Sequence, residues 1–307
     1  MGLRIRTNTA SLNAQRRLGK SVQNVEDSAA KLSSGKRINK AADDAAGLAI
    51  SSNLNADVRS LNQAKRNAQD GVSLVQTAEG GLEETTNMLT RLRELAVQGA
   101  SDTIGETERG FLDKEFLALK DEIDRIATAT EFNGTRLIVG DTELDGEIAN
   151  QEGTFPLEVQ VGKDYFAGVD GVDQANQLNI IKIDLGKLNA YTTGDGSLDI
   201  GRAEEGTRVN TKAAAQTSIN QLDAAIVKVS DYRSYLGAIQ NRFGSTIDNL
   251  ATTTENLSAA NSRIMDTDFA EETAKYTSAN ILKSAGTSVL AQANQLPQTA
   301  QTLLQNL

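Results

Sequence analysis

The chain has 307 residues, with 31 Lys and Arg against 41 Asp and Glu, a net charge of −10, and it contains no His, Cys or Trp. Triads built on His, Cys nucleophiles, dithiol redox pairs, Cys/His zinc clusters and haem ligation through His are therefore excluded, and an enzyme would have to rely on carboxylates, Lys or Ser. Hydrophobic residues at 39% and aromatics at 4% supply little for one thick globular core, so the chain is expected to be elongated or modular.

The opening residues 1–12 lack an apolar signal core and a small-residue cleavage site, and no stretch reaches the 18 or so apolar residues of a membrane span. Export, if it occurs, is expected to bypass the ordinary secretory signal. Absence of Cys suits a chain that leaves a reducing compartment for an oxidising one. Residues 1–40 hold nine basic side chains against Glu26 and Asp27. The bland reading of this charge is a basic arm that meets acidic neighbours, including the acidic partner arm at the other end of the chain. Nucleic-acid binding is disfavoured because no aromatics interleave with the basic residues and the whole chain is acidic. In the same segment Leu18, Val22, Val25, Ala29 and Leu32 alternate steps of four and three, the seam of a helix packed lengthwise on another.

Asp43 and Asp44 form an adjacent carboxylate pair. Read as an acid/base pair or hard-cation ligand they would carry chemistry, but their place before an Ala-rich helix start favours helix N-terminal charge or an intersubunit ion pair. From there Leu54, Leu61, Ala68, Val75, Leu82, Leu89 and Ala96 keep an unbroken seven-residue period, predicting a helix over about 54–97. Thr107 to Ala127 reads as a third helix with Leu112, Phe116, Leu119, Ile123 and Ile126 on its stripe. Four-residue spacing puts Arg91 and Leu95 on one helix face, and Glu115 on the next helix could come alongside. Asn133-Gly134 marks a tight turn.

Residues 141–210 hold five basic against fourteen acidic side chains, so most of the net charge sits there. Leu157, Val159 and Val161, and again Ile181, Ile183 and Leu185, alternate with polar residues as strands do. The segment is expected to be a solvated outer face, with hydroxyls such as Thr192, Thr193 and Ser197 open to glycosylation. Leu222, Val229, Leu236, Phe243, Leu250, Leu257 and Ile264 then occupy one heptad position. The last stretch, 266–307, carries an approximate stripe of Phe269, Thr273, Tyr276, Ile281, Ala285 and Val289. Neither terminal segment buries enough to fold alone, so the two are expected to fold against each other or against other copies. The fold class is mainly α: a long antiparallel helical bundle or coiled-coil rod with a small β-hairpin region and terminal helical arms.

Specific stretches resemble the bacterial flagellins. They are Leu32-Ser-Ser-Gly-Lys-Arg-Ile-Asn39, Ala42-Asp-Asp-Ala-Ala-Gly-Leu-Ala-Ile50, Leu92-Arg-Glu-Leu-Ala-Val-Gln98 and Glu131-Phe-Asn-Gly134. The C-terminal side adds Leu236-Gly-Ala-Ile-Gln-Asn-Arg-Phe243, Glu255-Asn-Leu-Ser-Ala-Ala-Asn-Ser-Arg-Ile264, Asp266-Thr-Asp-Phe-Ala270 and Leu290-Ala-Gln-Ala-Asn-Gln-Leu-Pro297. The resemblance implies a structural subunit of the extracellular flagellar filament, used for motility and exported by the flagellar type III apparatus, with no cofactor, no nucleic acid and no membrane. It implies an N-terminal assembly arm at 1–42, a rod domain with spoke at 43–140, a short acidic β-rich surface region at 141–210, the returning rod at 211–265 and a C-terminal assembly arm at 266–307. Assembly is then expected to fall on Leu18, Val22, Val25, Leu32, Asp43, Asp44, Phe269, Ile281 and Val289. Implied partners are other flagellin subunits, an export chaperone at the C-terminal arm, filament cap and junction proteins, and a vertebrate Toll-like receptor reading Arg91, Leu95 and Glu115. The alternatives are a hook–filament junction protein and, in a different class, a carboxylate-based hydrolase.

Overall fold

The computed structural model describes residues 8–140, 143–144, 147–148, 155–164, 178–193, 197–201 and 206–305. In chain order these form α1 (Thr9–Ser34), α2 (Ala45–Gly99), α3 (Glu106–Ala129), β1 (Glu131–Phe132), β2 (Thr135–Arg136), β3 (Glu143–Leu144), β4 (Glu147–Ile148), β5 (Leu157–Gln160), β6 (Ile180–Ile183), α4 (Lys212–Met265) and α5 (Phe269–Gln305). The chain divides into two compact units. One comprises Met1–Val58 with Glu255–Leu307, the other Arg59–Thr254.

The larger unit is built on the heptads. Leu61, Ala68, Val75, Leu82, Leu89 and Ala96 of α2 are all buried, as are Leu222, Val229, Leu236, Phe243 and Leu250 of α4. Between the α2 positions, Ala64, Gly71, Ala78, Thr85, Leu92 and Gly99 complete the alternation of three and four, so one face of α2 is dry for ten turns. Small residues on this face let large ones seat. A Cβ placed at Gly71 would come within 2.7 Å of the Phe243 ring, so the aromatic occupies the space that a side chain at 71 would need.

Helix α3 departs from its expected stripe. Phe116 and Ile123 are fully buried, but Leu112, Leu119 and Ile126 are only half-buried, while Arg109, Asp113, Lys120 and Asp124 go inside. The cause is the returning chain at 185–193, 197–201 and 206–209, which covers the second side of α3 and brings polar backbone with it. Asp124 accepts from the backbone N and Oγ1 of Thr192, both at 2.9 Å. Asp113 accepts from Val209 N at 3.0 Å and from Arg208 Nη2 at 2.6 Å. Lys120 Nζ donates to Thr207 O at 3.2 Å. Each buried charge thus holds a stretch of irregular chain, which is how buried polar groups are normally tolerated.

The strands follow their alternation. β5 and β6 pair antiparallel, with Leu157 opposite Ile183 and Val159 opposite Ile181, and the polar partners Glu158 and Lys182 form an ion pair of 2.9 Å. Asn133 and Gly134, both with positive φ (51° and 79°), make the two-residue turn between β1 and β2. The expectation of a solvated outer face is corrected for residues 185–193 and 197–200: Leu185, Leu188, Ala190, Tyr191, Leu198 and Ile200 join the core. Thr192 and Ser197 are buried with them, and the Thr192 hydroxyl is spent on Asp124, so neither is an open hydroxyl for glycosylation. Residues 1–7 of the N-terminal arm and much of 141–177 lie outside the described residues.

The smaller unit holds α1 and α5 as an antiparallel pair. Asn8 Nδ2 donates to Ala293 O at 2.7 Å, Ser11 Oγ bonds Asn294 Oδ1 at 2.8 Å, and Leu18 stands against Gly286, where a Cβ would come within 3.2 Å of the leucine. The terminal segments therefore take the first of their two expected routes and fold on each other.

Candidate assembly surfaces

The α1 side of this pair is the line Ser11, Ala14, Leu18, Ser21, Val25, Ser28 and Leu32, all buried or half-buried at three- and four-residue steps. Leu18, Val25 and Leu32 take the places their spacing predicts. At the intervening position the seam takes Ser28, buried, and leaves Ala29 exposed, while Val22 lies half-buried beside Ser21. On α5 the corresponding line is Glu272, Tyr276, Ala279, Lys283, Gly286, Leu290 and Ala293. Leu18 comes level with Gly286, which lets the two helices approach there, and the small and polar residues along both lines bury little apolar area per turn.

The predicted C-terminal stripe is mostly a different face. Phe269, Ile281 and Val289 remain 56%, 64% and 55% exposed, and only Tyr276 of that stripe enters the seam. Leu282 joins them on the surface, with Leu12 and Ile50 elsewhere in the same unit. Helix α5 thus has one seam satisfied within the chain and apolar residues left open away from it: at 100° per residue Ile281, Leu282 and Val289 fall within about 100° of one another, while Phe269 lies on another side. Single exposed apolar residues need no explanation, whereas Ile281, Leu282 and Val289 leave three large ones close together in water.

The two ends of the arms are fastened by backbone. α1 stops at Gly35, whose φ of 68° is the left-handed cap that favours glycine. Arg37 N then donates to Met265 O at 2.6 Å, Thr267 N to Gly35 O at 3.0 Å, and the Arg37 guanidinium to Ile264 O at 2.7 Å. Asp43 Oδ2 accepts from the backbone of Asn39 and Lys40, both at 2.9 Å, and those bonds hold its pKa below the usual carboxylate value. Asp44 Oδ1 accepts from Gly47 N at 2.8 Å and caps α2. Gly47 is required there, because a Cβ would lie 2.5 Å from Asp44 Oδ2 and 2.8 Å from Ile38 Cδ1. Both aspartates are therefore engaged in shaping the turn that leads into α2.

In the larger unit, Arg91 and Glu115 come together as the sequence suggests. Arg91 Nη2 lies 2.7 Å from Glu115 Oε1, and Arg91 Nη1 lies 3.0 Å from Glu94 Oε2, with the arginine and both acids well exposed. Glu115 first and Glu94 second hold the guanidinium more firmly in its charged form. Leu95 does not join them. It is 1% exposed and belongs to the core beneath the pair, because the dry face of α2 includes positions 92, 95 and 96 together. Sequence reasoning missed the buried charges Asp113, Lys120 and Asp124. The spacing 113, 116, 120, 123, 127 carries the same three-and-four signal as an apolar stripe, read through charged residues.

Comparison with known proteins supplies the rest. The bacterial flagellin N-terminal helical region matches residues 5–142, and the bacterial flagellin C-terminal helical region matches residues 219–305. A flagellin of Halalkalibacterium halodurans is 42% identical over 302 residues, covering 98% of this chain and 99% of that protein. The chain belongs to the bacterial flagellin family. The flagellin of Bacillus subtilis is similar at 40% identity over 306 residues, covering 98% of this chain and all of that protein. A solved structure from Vibrio parahaemolyticus, assigned as a flagellar hook-associated protein, shares the fold with a TM-score of 0.53 over 73% of this chain and all of that one, at 15% identity. That likeness is one of fold alone, whereas the full-length identity is to filament flagellins. As a flagellin the chain is a structural subunit that self-assembles with other flagellin subunits into the extracellular filament of motility, and it is not an enzyme. No helix among the described residues is long and apolar enough to cross a membrane.

Proposed function

We propose that the α1–α5 pair, residues 1–42 with 266–307, is the part of this flagellin that drives filament assembly, and that the exposed apolar residues Phe269, Ile281 and Val289 bind neighbouring subunits. The observation that carries this reading is the division of α5 between a satisfied seam and open apolar residues. Its Gly286 and Leu290 line is satisfied by α1 while Ile281 and Val289 stay in water. Burying those residues between copies recovers apolar area that the single chain leaves exposed and offsets the cost of ordering long, thinly packed helices. On the same reading Leu18, Val22, Val25 and Leu32 shape the arm pair, Asp43 and Asp44 set the turn between arm and bundle, and residues 43–140 and 211–265 form the outer part that carries the segment 141–210.

The test is seeded polymerisation of the purified subunit followed by electron microscopy. Intact chains should extend filament fragments. Ile281→Asp with Val289→Asp, or removal of 266–307, should stop growth while α2–α4 helicity persists. Growth of the Asp variant at the rate of the intact chain would refute the assignment.

Two finer readings follow. The open apolar surface of α5 is what an export chaperone would cover before type III export, and what cap and junction proteins would meet at the filament ends. The Arg91–Glu115 pair, exposed on a rigid two-helix face, is the surface offered to a vertebrate Toll-like receptor, with Leu95 supporting it from the core. Arg91→Ala with Glu115→Ala should weaken receptor signalling by monomer at least tenfold; unchanged signalling would remove the receptor reading.

A further inference from the structure

Asn133 stands apart from the other asparagines of the chain. It alone is followed by glycine, and with Gly134 it makes the whole turn of the β1–β2 hairpin. Both residues are exposed, and a Cβ built at Gly134 would meet nothing within 4 Å. Among the described residues neither the Asn133 carboxamide nor the Gly134 N–H is held in a hydrogen bond. Most other asparagines lie in helices, where the N–H of the following residue is bonded to a carbonyl one turn back. Asn55, Asn67 and Asn261 commit their side chains as well, to Ser51 O, Gln160 O and Ser51 Oγ, and Asn189 is buried.

The hairpin is fixed at its root and open at its tip. Leu137 N donates to Thr130 O at 3.0 Å, Thr130 Oγ1 donates to Ile126 O at 2.8 Å, and Leu137, Ile138 and Val139 are fully buried beyond them. Thr130 and Ile138 close over Gly81 of α2, where a Cβ would come within 2.6 Å of Thr130 Oγ1 and 3.0 Å of Ile138 Cδ1. Between this root and the tip stand the pairs Glu131 with Arg136 and Phe132 with Thr135. So short a ladder opens far more readily than the bundle beneath it.

We propose that Asn133 is a site of spontaneous deamidation in the folded subunit. Gly134 N, having passed its proton to solvent hydroxide, bonds to Asn133 Cγ. The Cγ–Nδ2 bond breaks, the nitrogen leaves as ammonia, and a succinimide ring is closed. Water then opens the ring at either of its carbonyls, giving aspartate or isoaspartate. Nothing is oxidised or reduced, and water is the sole co-reactant. Glycine matters because the attacking nitrogen carries no neighbouring Cβ to hinder its approach. The attack requires rotation about the Cα–C bond of Asn133, which the Phe132–Thr135 pair resists and the root does not. Isoaspartate runs the main chain through Cγ, so the turn gains a methylene and its closing pair is lost, while a new carboxylate appears beside Glu131. The contacts at Gly81 and the buried Leu137, Ile138 and Val139 lie beyond both pairs and keep the bundle folded. Because no enzyme is needed, the deamidated fraction records the age of the subunit.

Peptide mapping by mass spectrometry tests this on the purified full-length subunit, incubated at neutral and at mildly alkaline pH. Asn133 should convert about tenfold faster than any other asparagine, because helical N–H groups are already bonded, and faster at the higher pH. Its rate should come within about tenfold of that in the same chain unfolded in guanidinium chloride, the difference reflecting the opening of a short ladder. Labelling by an isoaspartate-specific methyltransferase should rise in step. Gly134→Asn keeps a residue that tolerates left-handed φ but sets a Cβ beside the attacking nitrogen, so it should slow conversion about tenfold with helicity unchanged. Asn133 that persists in the folded chain through an incubation that converts it in the unfolded one would overturn the proposal. So would a Gly134→Asn variant that converts as fast as the intact chain. Conversion that only keeps pace with loss of helicity would place the reaction in unfolded chains and overturn it as well.

Discussion

Lys120 shows how much a single residue can reveal that its neighbours hide. It is fully buried, and burial lowers its pKa from 10.5 to about 8 against the attraction of Asp124 and Asp113, with Arg208 nearby pushing the same way as burial. The unfolded chain keeps this lysine protonated to about 10.5, so between pH 8 and 10 the unfolded state holds a proton that the folded state has released. Stability of the bundle should therefore rise across that window, by at most about 1.4 kcal/mol per pH unit, and below pH 8 the group imposes a constant cost. Denaturant midpoints measured from pH 7 to 9.5 on the intact chain and on Lys120→Met would show the rise in the first and its absence in the second. Parallel profiles would mean that the buried ammonium is not the titrating group. The variant leaves the carboxylates engaged, since Asp113 still has Arg208 and Val209, and Asp124 still has Thr192. The three-and-four spacing through 113, 116, 120, 123 and 127 places Lys120 on the inner side of α3, but the backbone carbonyl that accepts its hydrogen bond, Thr207 O, comes from 87 residues further along the chain.

At the scale of the element, what could be read in advance depended on what filled the seams. Helices α2 and α4 announce themselves because Leu, Val, Ala and Phe hold the seven-residue period, and the buried faces are those positions. Helix α5 keeps an equally regular period, yet its seam is Glu272, Tyr276, Ala279, Lys283, Gly286, Leu290 and Ala293, and hydrophobicity reads past it to the exposed Ile281 and Val289. The usable signal was Gly286 on α5 opposite Leu18 on α1, a match that needs both helices at once. Glycine substitutions separate packing from propensity. Gly286→Leu places a large side chain where even a Cβ comes within 3.2 Å of Leu18. It should force α1 and α5 apart, with a drop in ellipticity at 222 nm and an arm that melts at least 5 °C lower. Gly19→Ala, with nothing within 4 Å of its new methyl, should instead raise arm helicity by about 1 kcal/mol of propensity. Equal effects from the two would deny that the pair is set by close approach.

At the scale of the molecule, the two units differ in what holds them. The larger one buries Leu82, Leu89, Leu92, Phe116, Ile123, Leu137, Leu236 and Phe243 completely, and each such side chain contributes about 2–3 kcal/mol of burial. On the arm helices the buried positions are small or polar: Ser11, Ala14 and Ser28 on α1, and Glu272, Ala279 and Ala293 on α5, with Ile38 beyond the end of α1 the large apolar exception. Helices of 26 and 37 residues held by so little apolar area stand at the low end of local stability, where opening is frequent. That imbalance suits a polymer subunit, because arms that are stable only after docking keep lateral contacts reversible until a copy reaches the growing end. Hydrogen exchange provides the measure. In the free subunit, amides of α1 and α5 are expected to exchange at least a hundredfold faster than those of α2 between Leu61 and Ala96 or of α4 between Leu222 and Phe243. In the filament the arm amides should slow to match them, while the bundle amides change little. Arms already protected in the free subunit would place their stability within the chain, and assembly would then have to draw its driving force from the larger unit.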